Sequence, residues 1–460
     1  MIRLDPPAAV RWITRTLEEA GYETWAVGGA VRDAMADRPS GDWDLTTRAT
    51  PDDMRRLFRR TVPVGVDHGT VGVLARDGTM YEVTTFRRDV ETTGRHAVVA
   101  FAESLDEDLA RRDFTINAVA WHPLNEDLRD PYRGARDMEL RVLRTVGEPA
   151  ERFAEDYLRV LRALRFAGTF RMRIHGDTWK ALTGAVDCLG GLSPERIREE
   201  MEKILAGGSD AASSRAVALY AASGCLARLY PELDATVGHA REGGPGDLFS
   251  HSLRVLDQVP AHRTSLRWAA LLHGVGEPEA PSGAGEEGAE AGERALLRTA
   301  AILERYRSSN ARIREVSELA RWGLRAPPSD GSDAELRRWL ADVGRERLPG
   351  VFHLWAASAR ADEIRGEGWT RKSAAALIRR LRDLARSGAP LSVDELALDG
   401  RDLIRMGYKP GPAFGEVLRH LLGLVLEDPT RNDPELLAEE ARSRLEVGGG
   451  DEEGKGGGPG

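Results

Sequence analysis

The hydrophobic periodicity of this chain changes once, near residue 140, and that change restricts the fold more than any other feature. Before it, short strand-like runs (Thr24 to Val27, Trp43 to Thr46, Thr70 to Leu74, Met80 to Phe86, Ala118 to Trp121) are interleaved with helix-like segments, Ala8 to Ala20 and Pro51 to Phe58. A period of two puts alternate side chains on one face of a strand, so residues 1–140 predict a small mixed sheet with helices. After it, leucine, alanine and arginine recur at three- and four-residue spacing with few β-branched runs, which predicts helical bundles. The fold class is therefore α+β, and 460 residues are too many for one ordinary core. Glu277 to Glu293 (acidic, Gly/Ala/Pro-rich) and Val447 to Gly460 (Gly-rich) carry too little apolar surface to offset ordering entropy, so both are expected to be flexible.

Within the first part, VGGAVRDAMADRPSGDWDL (Val27 to Leu45) joins a paired-glycine turn to two spaced acids. Strand alternation projects Asp42 and Asp44 to one side, while Trp43 and Leu45 turn into apolar packing. Two converging carboxylates suit Mg²⁺, which takes a few protein carboxylates and completes its shell with substrate phosphates. Gly28 and Gly29, between an apolar run and a helix-like segment, leave bare N–H groups for a triphosphate. The chemistry indicated is nucleotidyl transfer. Net charge is −9, so an RNA partner would need local basic patches. One lies between Arg141 and Arg173, where arginines outnumber acids at helical spacing. Cys188 and Cys225 form neither a disulfide framework nor a zinc cluster. The MIRLDPPAAV start lacks a signal-peptide core and no run approaches a membrane span, so a soluble cytoplasmic protein is expected.

GGAVRD followed by DWDLTT resembles the signature of class II tRNA nucleotidyltransferases and bacterial poly(A) polymerases, members of the polymerase-beta-like nucleotidyltransferase superfamily. Further segments extend the likeness in order. Val64 to Val71 resembles an HGT strand, Tyr81 to Arg87 an EVTTFR strand, and Arg111 to Ala118 matches RRDFTINA. Glu155 to Arg159 is similar to an EDxxR motif, and Leu192 to Ile197 to an SPERI helix start.

The resemblance implies a catalytic head (1–140), a nucleotide-selecting neck (141–207), a helical body (208–375) containing a flexible acidic loop at 277–293, a tRNA-binding tail (376–446) and a disordered end (447–460). It implies two Mg²⁺ ions held by Asp42 and Asp44, with Glu82 as third carboxylate, and attack by an RNA 3′-hydroxyl on the α-phosphorus of CTP or ATP. Gly28, Gly29 and Arg32 would cradle phosphates. Arg111, Arg112, Asp113 and Asn117 would meet phosphate and ribose, while Phe114 and Ile116 are core. Asp156 and Arg159, three residues apart and so neighbours on a helix, would read the base, with Arg162 continuing their face. Glu195 and Arg196 set a neighbouring helix. Residues 91–96 are expected to form a polar loop that switches specificity from C to A; Thr92 and Thr93 stand where an aromatic is common, which leaves partial addition open.

Phe249 to His251 and Trp268 to Gly276 resemble the opening motifs of an HD phosphohydrolase domain, with Gly274 where the aspartate belongs. A degenerate, structural HD-like region is expected, without hard carboxylate ligands beside His251 and His273. Leu398 to Ile404 and Gly407 to Pro412 resemble a C-terminal GxDL…GxxPGP signature, near which Lys409, Arg405 and Arg419 would touch tRNA phosphates. Three readings stand: an enzyme that completes the CCA end of tRNA, binding its 3′ end and acceptor and T-arm region as a monomer or homodimer; a partial adder or poly(A) polymerase; and a non-catalytic RNA-binding protein on the same scaffold.

Overall fold

The computed structural model describes residues 4–39, 41–65, 69–93, 96–207, 211–241, 246–278, 287–323, 325–327, 329–363, 370–409 and 411–449. They form two compact units, Met1–Asp234 and Ala235–Gly460.

The first unit carries the sheet. Its strands are β1 (Thr24–Val27), β2 (Asp44–Thr47), β3 (Thr61–Gly65), β4 (Thr70–Leu74), β5 (Met80–Thr85), β6 (Arg87–Thr93), β7 (His96–Phe101), β8 (Ala120–Trp121), β9 (Leu128–Arg129), and the short parallel pair β10 (Val142–Leu143) and β11 (Arg173–Ile174). Seven of them make one sheet in the order β3-β4-β5-β2-β1-β8-β9. The sheet is mixed, because β2 runs parallel to β5, with Leu45 opposite Val83, while β1–β2 and β4–β5 are antiparallel. Alternation works as expected along β5, where Tyr81, Val83 and Thr85 are buried and Met80 and Glu82 are exposed. β6 and β7 pair as a separate antiparallel hairpin. Most of the expected polar loop is thus strand, with residues 94 and 95 outside the described ones. The continuous apolar run Val98 to Phe101 pairs backbone to backbone with a polar strand, which composition alone does not reveal.

Helices α1 (Ala8–Glu19), α2 (Gly29–Met35), α3 (Pro51–Leu57), α4 (Leu105–Ala110) and α5 (Gly134–Glu139) accompany the strands. α1 buries Val10, Ile13, Thr14 and Leu17, a three- and four-residue stripe, in a core shared with Trp43, Leu45, Val71, Val83 and Trp121. α3 opens with a reciprocal cap between Thr50 and Asp53 and has proline in its first turn. A second core, including Val27, Phe86, Leu105, Leu109 and Ala120, forms around residues of the alternate register.

The helices that follow are α6 (Pro149–Glu155), α7 (Leu158–Phe170), α8 (Gly176–Gly184), α9 (Pro194–Leu205), α10 (Ala212–Ser223), α11 (Cys225–Leu229) and α12 (Pro231–Asp234). A Cβ on Gly168 would lie 2.6 Å from both the backbone nitrogen and the Cβ of Ala216, so α7 and α10 meet nearly backbone to backbone. Helices after residue 207, assigned to the body by the sequence reading, therefore belong to the first unit, and the division falls after Asp234.

The second unit is helical: α13 (Leu248–Asp257), α14 (Thr264–Leu272), α15 (Glu287–Arg305), α16 (Asn310–Trp322), α17 (Asp333–Val343), α18 (Leu348–Glu363), α19 (Arg371–Arg386), α20 (Gly400–Arg405), α21 (Pro412–Glu427) and α22 (Pro434–Gly449). The flexibility expectation for residues 277–293 is corrected in part here. The acidic stretch becomes helical from Glu287, because Ala291 and Ala295 stack one turn apart and are buried. Residues 279–286 of that stretch lie outside the described ones. α22 extends through Gly449, and 450–460 likewise fall outside. Near the C-terminus, Leu398, Leu403, Tyr408, Val417, Leu421, Val425, Leu437 and Ala441 make a separate core. Arg337 donates to the carbonyls of Leu426 and Glu427, each at 2.7 Å, satisfying orphan acceptors at the end of α21. Among the described residues no helix is long and apolar enough to cross a membrane.

The α7–α10 contact yields a test. Gly168→Ala should destabilise the protein by about 1–3 kcal/mol through overpacking, whereas Gly184→Ala, whose Cβ would meet nothing within 4 Å, should be neutral or slightly stabilising in urea unfolding.

Candidate active site

Gly28 has φ 75°, a conformation that penalises any side chain, and caps the start of α2. A Cβ there would lie 3.1 Å from Asp44 Oδ2, and one on Gly29 3.8 Å from Asp42 Oδ2. Both acids therefore rest against the glycine turn, while Trp43 and Leu45 are buried on the other side. The regular strand begins at Asp44, so Asp42 belongs to the extended lead-in rather than to β2. Glu82 projects into the same cavity from β5. Burial, then Asp42, then Glu82 push the Asp44 carboxyl up to about 6, against weaker opposing pulls from Arg112 and Arg32.

This cluster fits a divalent cation. Its carboxylates repel one another in a partly dry site, a balance that a hard cation reverses. Among the described residues no three or more His, Cys, Asp or Glu side chains close around one point. Asp42 and Asp44 are the residues that could hold such an ion, since Mg²⁺ takes few protein carboxylates and fills its shell with phosphate oxygens and water.

In the same cavity, Asp113 organises the cationic groups. Its Oδ1 accepts from the Phe114 backbone N–H at 2.9 Å and from Asn117 Nδ2 at 2.8 Å, and its Oδ2 from Arg162 Nε at 2.8 Å. Burial alone would raise this carboxyl, but Arg162 and the Asn117 hydrogen bond outweigh it and hold it below the usual range. Asn117 Oδ1 in turn accepts from Arg32 Nη1 at 3.2 Å, and Arg32 also pairs with Asp33 at 2.8 Å. Arg112 pairs with Asp108 at 3.1 Å and donates to the Asn117 carbonyl at 3.2 Å. Phe114 and Ile116 are wholly buried.

The neck residues arrive differently from their predicted arrangement. Asp156 is extended (φ −157°) between α6 and α7, so it and Arg159 do not share a helix face. Asp156 Oδ1 accepts from the Leu158 N–H, and Oδ2 pairs with Arg196 at 2.7 Å. Arg159 instead pairs with Glu155 and donates to the carbonyls of Arg152 and Arg111. A turn before α7 separates them, and Arg196 from α9 takes the place that a helical neighbour would have had.

Even so, Gly28, Gly29, Arg32, Asp42, Asp44, Glu82, Arg111, Arg112, Asp113, Asn117, Asp156, Arg159 and Arg162 all line one cavity of about 560 Å³. Asp108, Arg165, Phe166 and Lys203 line it too. Asp108 was findable from its four-residue spacing to Arg112. Lys203 and Arg165 converge on the buried Glu200 at 3.1 and 2.7 Å; Lys203 was findable from its three-residue spacing to Glu200, whereas the Arg165 contact, a meeting of α7 and α9, has no local sequence signal. His68 of the HGT segment lies outside the described residues.

In the second unit, His251 and His273 are buried with ring centroids 5.6 Å apart. The expected lack of a carboxylate is corrected: Asp362 of α18 lies 3.3 Å from His251 Nδ1. It is already neutralised, because the Arg241 guanidinium contacts both of its oxygens, one at 2.8 Å. Arg405 is exposed and pairs with Asp402 at 3.1 Å, Arg419 donates to Gly415 of its own helix, and Lys409 is exposed.

Two pH effects follow. An Asp44 carboxyl raised from 3.8 to about 6 penalises the folded state fully above pH 6 and not at all below 3.8. In EDTA at pH 7.5, Asp44→Asn should raise stability by about 2–3 kcal/mol, an advantage that fades on acidification. Burial, then His251, push His273 from 6.5 to about 3, so its contribution is complete above pH 6.5 and lost as pH falls toward 3. The wild type should lose about 2 kcal/mol more than His273→Leu between pH 7 and 5, read from urea midpoints; equal losses would refute this.

Residues 24–144 match the family model for the poly A polymerase head domain, and 171–236 the one described as a probable RNA and SrmB-binding site of polymerase A. The CCA-adding enzyme of Anoxybacillus flavithermus is 34% identical over 433 residues, covering 93% of this chain and 94% of that protein. The crystal structure of the Bacillus stearothermophilus CCA-adding enzyme in complex with CTP superposes with a TM-score of 0.70 at 29% identity, covering 97% of this chain and 100% of the other. The Thermotoga maritima CCA-adding enzyme complexed with tRNA shares the fold at 20% identity and a TM-score of 0.56, covering 95% and 94%. With its head and nearly its whole length matched in this way, the chain belongs to the CCA-adding enzyme family.

Proposed function

We propose that this protein completes or repairs the 3′-terminal CCA of tRNA from CTP and ATP, releasing pyrophosphate, in the cytoplasm. The observation that carries the reading is the convergence, in one cavity, of a carboxylate cluster, a glycine turn and a wall of guanidinium groups. The RNA 3′-hydroxyl oxygen bonds to the α-phosphorus as the bond to the pyrophosphate oxygen breaks, and the hydroxyl proton passes to solvent water. Asp42 and Asp44 would hold two Mg²⁺ ions, which lower the pKa of the hydroxyl and neutralise the departing pyrophosphate. Glu82 adds negative charge that strengthens cation binding. Gly28 and Gly29 allow close backbone approach of the triphosphate, and Arg32, Arg111 and Arg112 meet its oxygens. Asp156 and Arg159 present an acceptor and donors toward the base, fixed by Arg196 and Glu155, and Arg162 backs them from Asp113.

The decisive assay supplies CTP and ATP, separately and together, with Mg²⁺ to tRNA transcripts ending before CCA, at C and at CC. Ordered addition that stops at CCA and vanishes in Asp42→Ala is expected. Addition of only C, only A, or a long A tail selects a partial adder or a poly(A) polymerase. Tight tRNA binding without incorporation makes the protein a binding scaffold.

The reading also needs a surface for RNA on a chain of net charge −9. Beside Lys409, Arg405 and Arg419, the second unit offers a groove of about 550 Å³ along α18 and α19, floored by Phe352, Ala374 and Ile378 and rimmed by Arg360, Arg371, Arg379, Arg382 and Arg386. Burial, then Arg371, depress the Arg360 guanidinium, a crowding of positive charge that phosphates relieve. Arg379→Glu combined with Arg386→Glu should weaken tRNA binding at least about tenfold and flatten its salt dependence, leaving Tm unchanged. Unaltered binding would return the RNA contacts to the Lys409 region.

A further inference from the structure

Phe166 is 2% exposed, yet its ring borders the active-site cavity. Guanidinium carbons of Arg165, Arg32 and Arg162 stand 4.2, 5.0 and 5.2 Å from its centroid. Cations seldom gather so closely, and each is also clamped by a carboxylate: Arg165 by Glu200 at 2.7 Å, Arg32 by Asp33 at 2.8 Å and Arg162 by Asp113 at 2.8 Å. The ring is itself fixed, edge to face with Phe114 at 5.8 Å and tilted against Phe170 at 6.2 Å.

These contacts close a circuit. Arg32 bonds Asn117, Asn117 bonds Asp113, and Asp113 holds Arg162. Phe166 completes the loop from Arg162 back to Arg32. Arg32 belongs to α2, beside the glycine turn, and Arg162 to α7, on the neck side of the cavity. A hydrogen-bonded chain fixes distances along one side of the circuit but leaves the guanidinium planes able to rock. An aromatic face against their other side removes that freedom, because the attraction depends on where the cation sits over the ring.

Resting on the proposed CCA-adding reading, we infer that Phe166 is a positioning residue that couples base selection to triphosphate alignment by giving Arg32 and Arg162 one shared aromatic support. The ordinary alternative is a core phenylalanine that contributes only packing. Leucine keeps burial and most of the volume but lacks a π face; tyrosine keeps the face. The two readings therefore diverge on selectivity rather than on stability.

The experiment measures kcat and KM for CTP, ATP and the non-cognate UTP, on tRNA substrates, for the wild type, Phe166→Leu and Phe166→Tyr, with Tm recorded for each. Expected for Phe166→Leu is a rise in KM for both cognate nucleotides and a roughly tenfold fall in CTP-over-UTP discrimination, with Phe166→Tyr restoring discrimination. A lower Tm with discrimination unchanged would overturn the inference, since lost packing reduces the active fraction without altering a ratio of two substrates. If Phe166→Leu does not fold, Phe166→Met, whose flexible chain fills the gap, decides by the same ratio. If that variant is unfolded as well, the ring is a packing element and the inference fails. Absence of wild-type incorporation would instead sink the CCA-adding reading.

Discussion

A buried carboxylate with every oxygen committed is the constraint on which the active-site half of this protein depends. Asp113 receives a backbone N–H, an amide and a guanidinium, so its charge survives burial. Burying a charge without such partners costs several kcal/mol, and removing one partner strands the others. The segment carrying Asp113 and the helix carrying Arg162 are thereby tied together, and the arginines facing the cavity inherit their positions from that tie. Precision of this kind is what a site needs when its work is electrostatic rather than covalent.

The cavity is polarised by design of its backbone. Negative groups collect where Gly28 permits close approach, and guanidinium groups line the same cavity, Arg112 reaching to within 4.0 Å of where a Cβ on Gly28 would sit. A nucleoside triphosphate has the complementary split: a strongly anionic end that takes cations and arginines, and a neutral base with hydrogen-bonding edges. The raised Asp44 carboxyl shows that the acid cluster is uncomfortable alone. That discomfort is a reservoir of binding energy for the cations a triphosphate brings with it.

What was legible in the sequence was local. Alternation around Trp43 placed Asp42 and Asp44 on one side, and the glycine pair announced their turn; the structure keeps both with a one-residue shift in where the strand starts. The change of period near residue 140 correctly separated sheet from helices. Interactions across the fold stayed hidden. Asp156 finds Arg196 forty residues away, Phe166 collects arginines from two helices, and Asp362 reaches His251 from 111 positions along the chain. Composition misjudged the acidic stretch because a buried alanine pair is enough to seat a helix against a neighbour, whatever its remaining residues are.

The ion pair between Arg241 and Asp362 has a consequence for the cell. A histidine and carboxylate cluster that recruits a metal ties its folding to the free concentration of that metal. Here the counter-charge is part of the polypeptide, delivered with each chain synthesised and held at a contact no chelator can strip. At this cluster the second unit therefore owes its shape to a contact within its own chain, and that contact persists whatever the supply of divalent ions.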